Sequence, residues 1–226
     1  INSDVKINGK RVDYKYNSKE IVLFEGYKKG KNKVEFTYEC EPKQTIYFVG
    51  TKSDFQIWTQ GQGRYTSHWL PSFDDVNEKV VFNLNITFNK DFEVLSNGKF
   101  MNSSINSDLK NWNYQMQKPM SSYLLMVAIG KFIKQECKSK SGIPLDFYLD
   151  KNDSDKFEPT YRYSKQIFDF FEKKIGVKYP WKIYRQVPVR DFLYAGMENT
   201  SATIFAQDFV VDSIGFNDKN YVWINA

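Results

Sequence analysis

The feature that most constrains the fold is a run of apolar residues at every second position: Val80, Phe82, Leu84, Ile86 and Phe88. Side chains on an extended strand alternate between its faces, so this period builds one apolar face and one wet one. Such a strand needs a second apolar layer against it. Comparable short runs surround it: Ile21 to Phe24, Val34 to Tyr38, Thr45 to Val49 and Trp112 to Met116. Tyr123 to Ile129 is apolar almost without a break, as a strand buried on both faces requires. Asn8-Gly9 and Asn97-Gly98 are favoured hairpin turns, because both residue types tolerate positive φ. The Asn/Ser run from Asn102 to Asp108 reads as a loop. Many short strands with turns between them predict an antiparallel β-sandwich over residues 1–140.

The pattern changes after Lys138-Ser139-Lys140-Ser141-Gly142, the expected boundary, and residues 141–226 mix strand with helix. The fold class is therefore α+β. Leu145, Phe147 and Leu149 alternate as one more strand. Glu158-Pro159 opens a helix in which Tyr163, Ile167, Phe171 and Ile175 fall four apart. That stripe, with Phe168 beside it, reads as core, and Gly176 as the stop. Strands follow over Lys182 to Val187 and Ser201 to Phe205. A new helix is expected from Asn217 or Asp218, with Tyr221, Val222 and Ile224 as its apolar residues.

Charge excludes little beyond nucleic acid. The net +5 comes from 32 basic against 27 acidic residues. Lys28, Lys29, Lys31 and Lys33 crowd one Gly-containing turn, but no second basic cluster or aromatic ladder accompanies them, so this is a solvated loop. No apolar run approaches the roughly 20 residues of a membrane helix. Cys40 and Cys137 lie too far apart to signal a disulfide framework or a redox compartment. Localisation and oligomeric state stay open.

The chemistry centres on Asp191-Phe192-Leu193-Tyr194-Ala195-Gly196-Met197-Glu198-Asn199-Thr200. Small residues admit a ligand close to the backbone, and a Glu beside that opening can bind a cation. Residue types alone also describe a loop with one carboxylate. Ala195-Gly196-Met197-Glu198-Asn199, however, resembles the Gly-x-Met-Glu-Asn exopeptidase motif of the zinc aminopeptidases typified by aminopeptidase N, a family that includes leukotriene-epoxide hydrolases. Ala195 stands where the family has its first Gly. The resemblance implies that Glu198 grips the α-ammonium of a peptide substrate, with the backbone of Ala195, Gly196, Met197 and Asn199 alongside.

A second stretch, Thr59-Gln60-Gly61-Gln62 to Leu70-Pro71-Ser72-Phe73-Asp74, resembles another block of that family. By this match Gln62 contacts the substrate's first residue beside Glu198, while Ser67 occupies a position where the family has Arg. Ser121-Ser122-Tyr123-Leu124-Leu125 resembles a third block. Together the matches run from about residue 45 to the end. They imply a saddle-like N-terminal β domain lacking its first strands, then the opening of a thermolysin-like catalytic domain.

Zinc in this family is held by a helical His-Glu-x-x-His and a later Glu. This chain has one histidine, His68, which beside Trp69 reads as structural, and it has no Gly-x-Ser-x-Gly elbow. No catalytic residue and no metal ligand are therefore expected within it. The expectation is part of a zinc-dependent aminopeptidase acting on peptides with a free N-terminus. The chain is expected to be inactive alone, with zinc in the full-length protein and the His-Glu-x-x-His within about one helical turn after Ala226. A scaffold member that lost catalysis, or an epoxide hydrolase on the same scaffold, would share these residues.

Overall fold

The alternating run builds one layer of a sandwich, though not as a single strand. In the computed structural model, which describes residues 4–17 and 19–218, Asn83–Asn89 pairs antiparallel with Leu109–Gln115, and that strand with Lys99–Asn106. Val80 belongs instead to a separate short strand, Lys79–Val80, paired with Met120–Ser121. The two part because Phe82 turns to another cluster, with Met116, Met120 and Leu125. The facing sheet has the order Glu93–Ser96, Val127–Gly130, Asp54–Thr59, Ile46–Thr51, all antiparallel. Ile57, Val94, Trp112, Tyr114, Val127 and Ile129 are buried between the layers, and Leu84, Ile86 and Phe88 pack on them. Each such side chain fully removed from water contributes about 1.5–3 kcal/mol.

The chain divides into two compact units, Ile1–Pro42 and Lys43–Ala226. In the first, Asn8 (φ 54°) and Gly9 (φ 82°) make the expected hairpin, with Ile7 opposite Lys10. Val5, Ile7 and Val12 form its small core.

Several expectations need correction in the second unit. Asn97-Gly98 is not a hairpin. Glu93–Ser96 pairs with Val127–Gly130 while Lys99–Asn106 pairs with Leu109–Gln115, so the dipeptide carries the chain from one layer to the other. Positive φ at Gly98 (78°) serves that crossing, where a Cβ would also lie 2.4 Å from the Gln115 carbonyl. Asn102 to Asn106 is strand, not loop: an exposed edge strand that needs no apolar residues. The apolar stretch from Tyr123 shortens to Val127–Gly130, preceded by a 3-10 turn over Ser122–Leu124.

The second half of this unit is a mixed sheet in the order Phe132–Lys138, Pro144–Asp150, Tyr184–Val189, Ala202–Ala206, Gly196–Met197. Its three middle strands are parallel and the outer two antiparallel to their neighbours. Pro144–Asp150 does not alternate, because it lies between layers on both sides. Leu145, Phe147 and Leu149 pack under Phe157 and Phe168, while Tyr148 joins Trp58, Leu95, Met126, Val187 and Ile204 against the sandwich. The expected long helix is two, Phe157–Tyr161 and Ser164–Ile175, and Gly176 ends the second as anticipated. Tyr163, Phe171 and Ile175 are exposed rather than core, since only Phe168 and its neighbours reach the sheet. The last helix starts at Ser213, earlier than expected, and is followed to Asp218. Tyr221, Val222 and Ile224 fall outside the described residues, among which no helix is long and apolar enough to cross a membrane.

One amide holds the two halves of this unit in register. Asn97 donates to the carbonyls of Leu124 (2.9 Å) and Thr200 (2.6 Å) and accepts from the Met126 N–H (2.6 Å). It is 2 % exposed, so its loss leaves buried polar groups without partners. Asn97→Ala is expected to cost about 2–5 kcal/mol, read from urea unfolding midpoints. A loss below about 1 kcal/mol would show that water replaces the amide.

Candidate functional site

The motif loop leaves the sheet, forms its outermost strand, and turns back in. Gly196–Met197 pairs with Ile204 and Phe205, and the Ala195 carbonyl accepts from Ala206 N–H at 3.0 Å. The other edge of this strand has no strand beside it among the described residues. Gly196 sits in a tight place: a Cβ there would stand 3.1 Å from the Phe205 ring and 3.3 Å from the Ile204 carbonyl, so the neighbours would have to give by a few tenths of an ångström. Its smallness thus serves the sheet as well as any ligand. Met197 is buried, which turns the next side chain, Glu198, outward. Asn199 is buried with both amide atoms lacking a hydrogen-bond partner among the described residues, while its carbonyl accepts from Ala202 N–H at 3.0 Å.

Gln62 arrives from the sandwich side, just past the strand Asp54–Thr59. Its N–H donates to Gln60 Oε1 at 2.9 Å, so the buried Gln60 fixes the loop from behind. The exposed Gln62 side chain has no hydrogen-bond partner among the described residues and is free to accept one.

Gln62 and Glu198, far apart in sequence, line one open cavity of about 360 Å³. Arg64, Asp74, Asp75, Ser122 and Tyr123 complete much of its wall. Three carboxylates against one guanidinium make the cavity electronegative, which suits a cationic ligand. Ala195, Gly196, Met197 and Asn199 do not line it; they form and anchor the strand that carries Glu198.

Two family models match the chain: the peptidase M1 N-terminal domain over residues 1–124 and the peptidase family M1 domain over residues 160–221. The chain belongs to the peptidase M1 family. Among its relatives, a glutamyl aminopeptidase of Rattus norvegicus is 30% identical over 58% of the chain and 14% of its own length. A probable aminopeptidase of Sulfurisphaera tokodaii is 26% identical over 90% of the chain. A leucyl aminopeptidase of Saccharolobus solfataricus is 24% identical over 89%. The chain spans about a quarter of the length of each archaeal relative, 26% in both.

M1 peptidases are zinc metallopeptidases, and the described residues do not fit that metal. No three His, Cys, Asp or Glu among them converge on one point. His68 is occupied elsewhere: Nδ1 donates to the Tyr65 carbonyl at 3.0 Å, which leaves Nε2 to accept from the Gln44 amide at 2.9 Å. Cys40 and Cys137 are not joined in a disulfide.

The wall residues Arg64, Asp74 and Asp75 are absent from the sequence-derived site. The one signal for them was the Pro71-to-Asp74 turn, which marks a tight loop without saying what it faces. Ser67, standing where the family has Arg, gives its backbone N–H to Asp74 Oδ2 (2.8 Å), and Ser72 and Ser122 hydroxyls donate to Oδ1 (2.7 and 2.9 Å). Burial pushes the Asp74 carboxyl up, but these bonds outweigh it and leave it below the ordinary 3.8. A carboxylate lowered on folding stabilises above its unfolded pKa, and that contribution is lost as pH falls through the folded value. The stability difference between the parent and Asp74→Asn should therefore shrink as pH drops below about 4, measured by urea midpoints. A difference independent of pH would mean that the serine contacts do not depend on the charge.

Proposed function

We propose that this chain is part of a zinc-dependent aminopeptidase and supplies the site that holds the free N-terminus of a peptide. The observation that carries this reading is the meeting of Glu198 and Gln62 in one electronegative cavity, directly after an outer strand with an open edge. An extended peptide lying along Gly196–Met197 can hydrogen-bond to that edge as an added strand. Its ammonium then reaches Glu198, and charge-assisted hydrogen bonds of this kind are worth about 1.5–3 kcal/mol net. Gln62, beside it in the cavity, offers its amide to the substrate's first residue without adding a second charge. Ala195, Gly196, Met197 and Asn199 act by fixing the strand rather than by side-chain contact. Membership of the M1 family and the aminopeptidase relatives support the reading.

Zinc supplies a Lewis acid for peptide hydrolysis in this family. Among the described residues no group is placed to hold it, so we assign hydrolysis to the full-length protein and binding to these residues. The segment between the two matched regions, 125–159, is where we place the boundary between the β domain and the start of the catalytic domain, at about residue 140. The relatives' names disagree on the first residue, glutamyl in one and leucyl in another, so a preference has to come from the pocket itself.

In the full-length protein, Glu198→Gln should lower kcat/KM for free-amine substrates by about 2–5 kcal/mol, with N-acetylated substrates poor for both forms. Unchanged turnover of free-amine peptides would remove Glu198 from this role. Gln62→Ala should be milder, about 0.5–1.5 kcal/mol, and should vary with the first side chain. A uniform loss, or none, would return Gln62 to a purely structural part.

A further inference from the structure

The cavity carries more negative charge than one ammonium neutralises. Once an ammonium is paired with Glu198, Asp74 and Asp75 against Arg64 leave one net negative charge. The two aspartates differ in what they can still do. Asp74 already accepts three hydrogen bonds, from Ser67, Ser72 and Ser122, and so belongs to the wall. Asp75 accepts one, from Asn77 N–H at 2.9 Å on Oδ1. The partner of its Oδ2 is Arg64 Nη2 at 3.8 Å, beyond hydrogen-bond length, with the two side chains 46% and 66% exposed. A pair this long and this wet contributes little and exchanges partners readily.

We infer that Asp75 makes this cavity select a basic first residue, lysine or arginine, over a neutral one, and a neutral one over an acidic one. The inference rests on the reading of Glu198 as the ammonium's partner. A lysyl side chain cancels the remaining charge, whereas a glutamyl side chain doubles it. Arg64 does not reverse this order. To meet an acidic side chain it must leave Asp75, which then stays in the wall as an uncompensated like charge. Its backbone is also committed: Gly63 and Arg64 both hold positive φ, 89° and 79°, so the turn that presents the guanidinium is a specific one.

The test is the kcat/KM of the full-length protein for L-lysyl, L-leucyl and L-glutamyl p-nitroanilides at low ionic strength. The lysyl substrate should exceed the leucyl one by about threefold or more, and the gap should narrow in high salt. Asp75→Asn keeps an acceptor for Asn77 N–H, so the turn survives. It should lower the lysyl-to-leucyl ratio by about that same factor and raise the glutamyl-to-leucyl ratio. A leucyl or glutamyl preference in the parent, or ratios unmoved by Asp75→Asn, would overturn the inference. Glu198→Gln separates the two readings, because it should depress all three substrates together. If it does not, the ammonium site is wrong whatever Asp75 does. Calorimetry with lysinamide and leucinamide on the same protein makes the comparison without turnover, and equal affinities would count against Asp75.

Discussion

The site depends on the short crossing Ser96-Asn97-Gly98, where the sandwich and the mixed sheet are hydrogen-bonded into one body. Asn97 ties the Thr200 carbonyl, just past the motif, to Leu124 and Met126 in the sandwich. Ser201 Oγ accepts the Gly98 N–H at 2.8 Å, and Arg185 Nη1 donates to the Ser96 and Gly98 carbonyls at 3.1 and 2.6 Å. These are buried bonds, and buried polar groups left without partners cost more than the bonds themselves add. The layers therefore have a single low-energy register. That register brings Gln62, from the sandwich, opposite Glu198, from the sheet.

A second group of buried polar contacts supports the same placement. Trp58 Nε1 donates to the Arg190 carbonyl at 3.0 Å, and Arg190 N–H donates to Gln56 Oε1 at 2.9 Å. Gln56 in turn donates to Asp150 at 3.1 Å, so a sandwich strand grips the segment leading into the motif. Arg185, almost wholly buried, lies 3.7 Å from Asp146 and over the Tyr114 ring. Burial pushes the Asp146 carboxyl up, while Arg185 and then Lys134 pull the other way. Buried charges of this kind add little net stability, because desolvation offsets attraction, but removing one partner costs about 3–5 kcal/mol. They act here as registry devices between layers.

Seen from the cavity, the division of labour is simple. The interior polar network fixes geometry, and the exposed charges set the chemistry. Glu198 and Gln62 are both exposed and lack competing partners among the described residues, which keeps them available to a ligand. Asp74 is immobilised by three donors, whereas Asp75 is held by one and a distant guanidinium. Neighbouring residues of the same type thus serve different ends, one structural and one electrostatic.

The sequence determined what local rules govern. Period two at Leu84, Ile86 and Phe88 fixed a half-buried strand, Asn8-Gly9 a hairpin, and Gly176 a helix stop, because each depends on a few adjacent residues. The motif around Glu198 was legible for the same reason: it is short and contiguous. Tertiary structure decided the rest. Asn97-Gly98 has the local chemistry of a hairpin, yet it crosses between layers, since its flanking strands find better partners elsewhere. The aromatic stripe on Ser164–Ile175 has the period of a core face, but it is Phe168, beside that stripe, that packs on the buried cluster of the sheet. The charge of the cavity was equally out of reach, because Arg64, Asp74 and Asp75 join Glu198 only when two distant layers pack. Contacts between residues far apart in the chain follow from packing, and no local pattern encodes them.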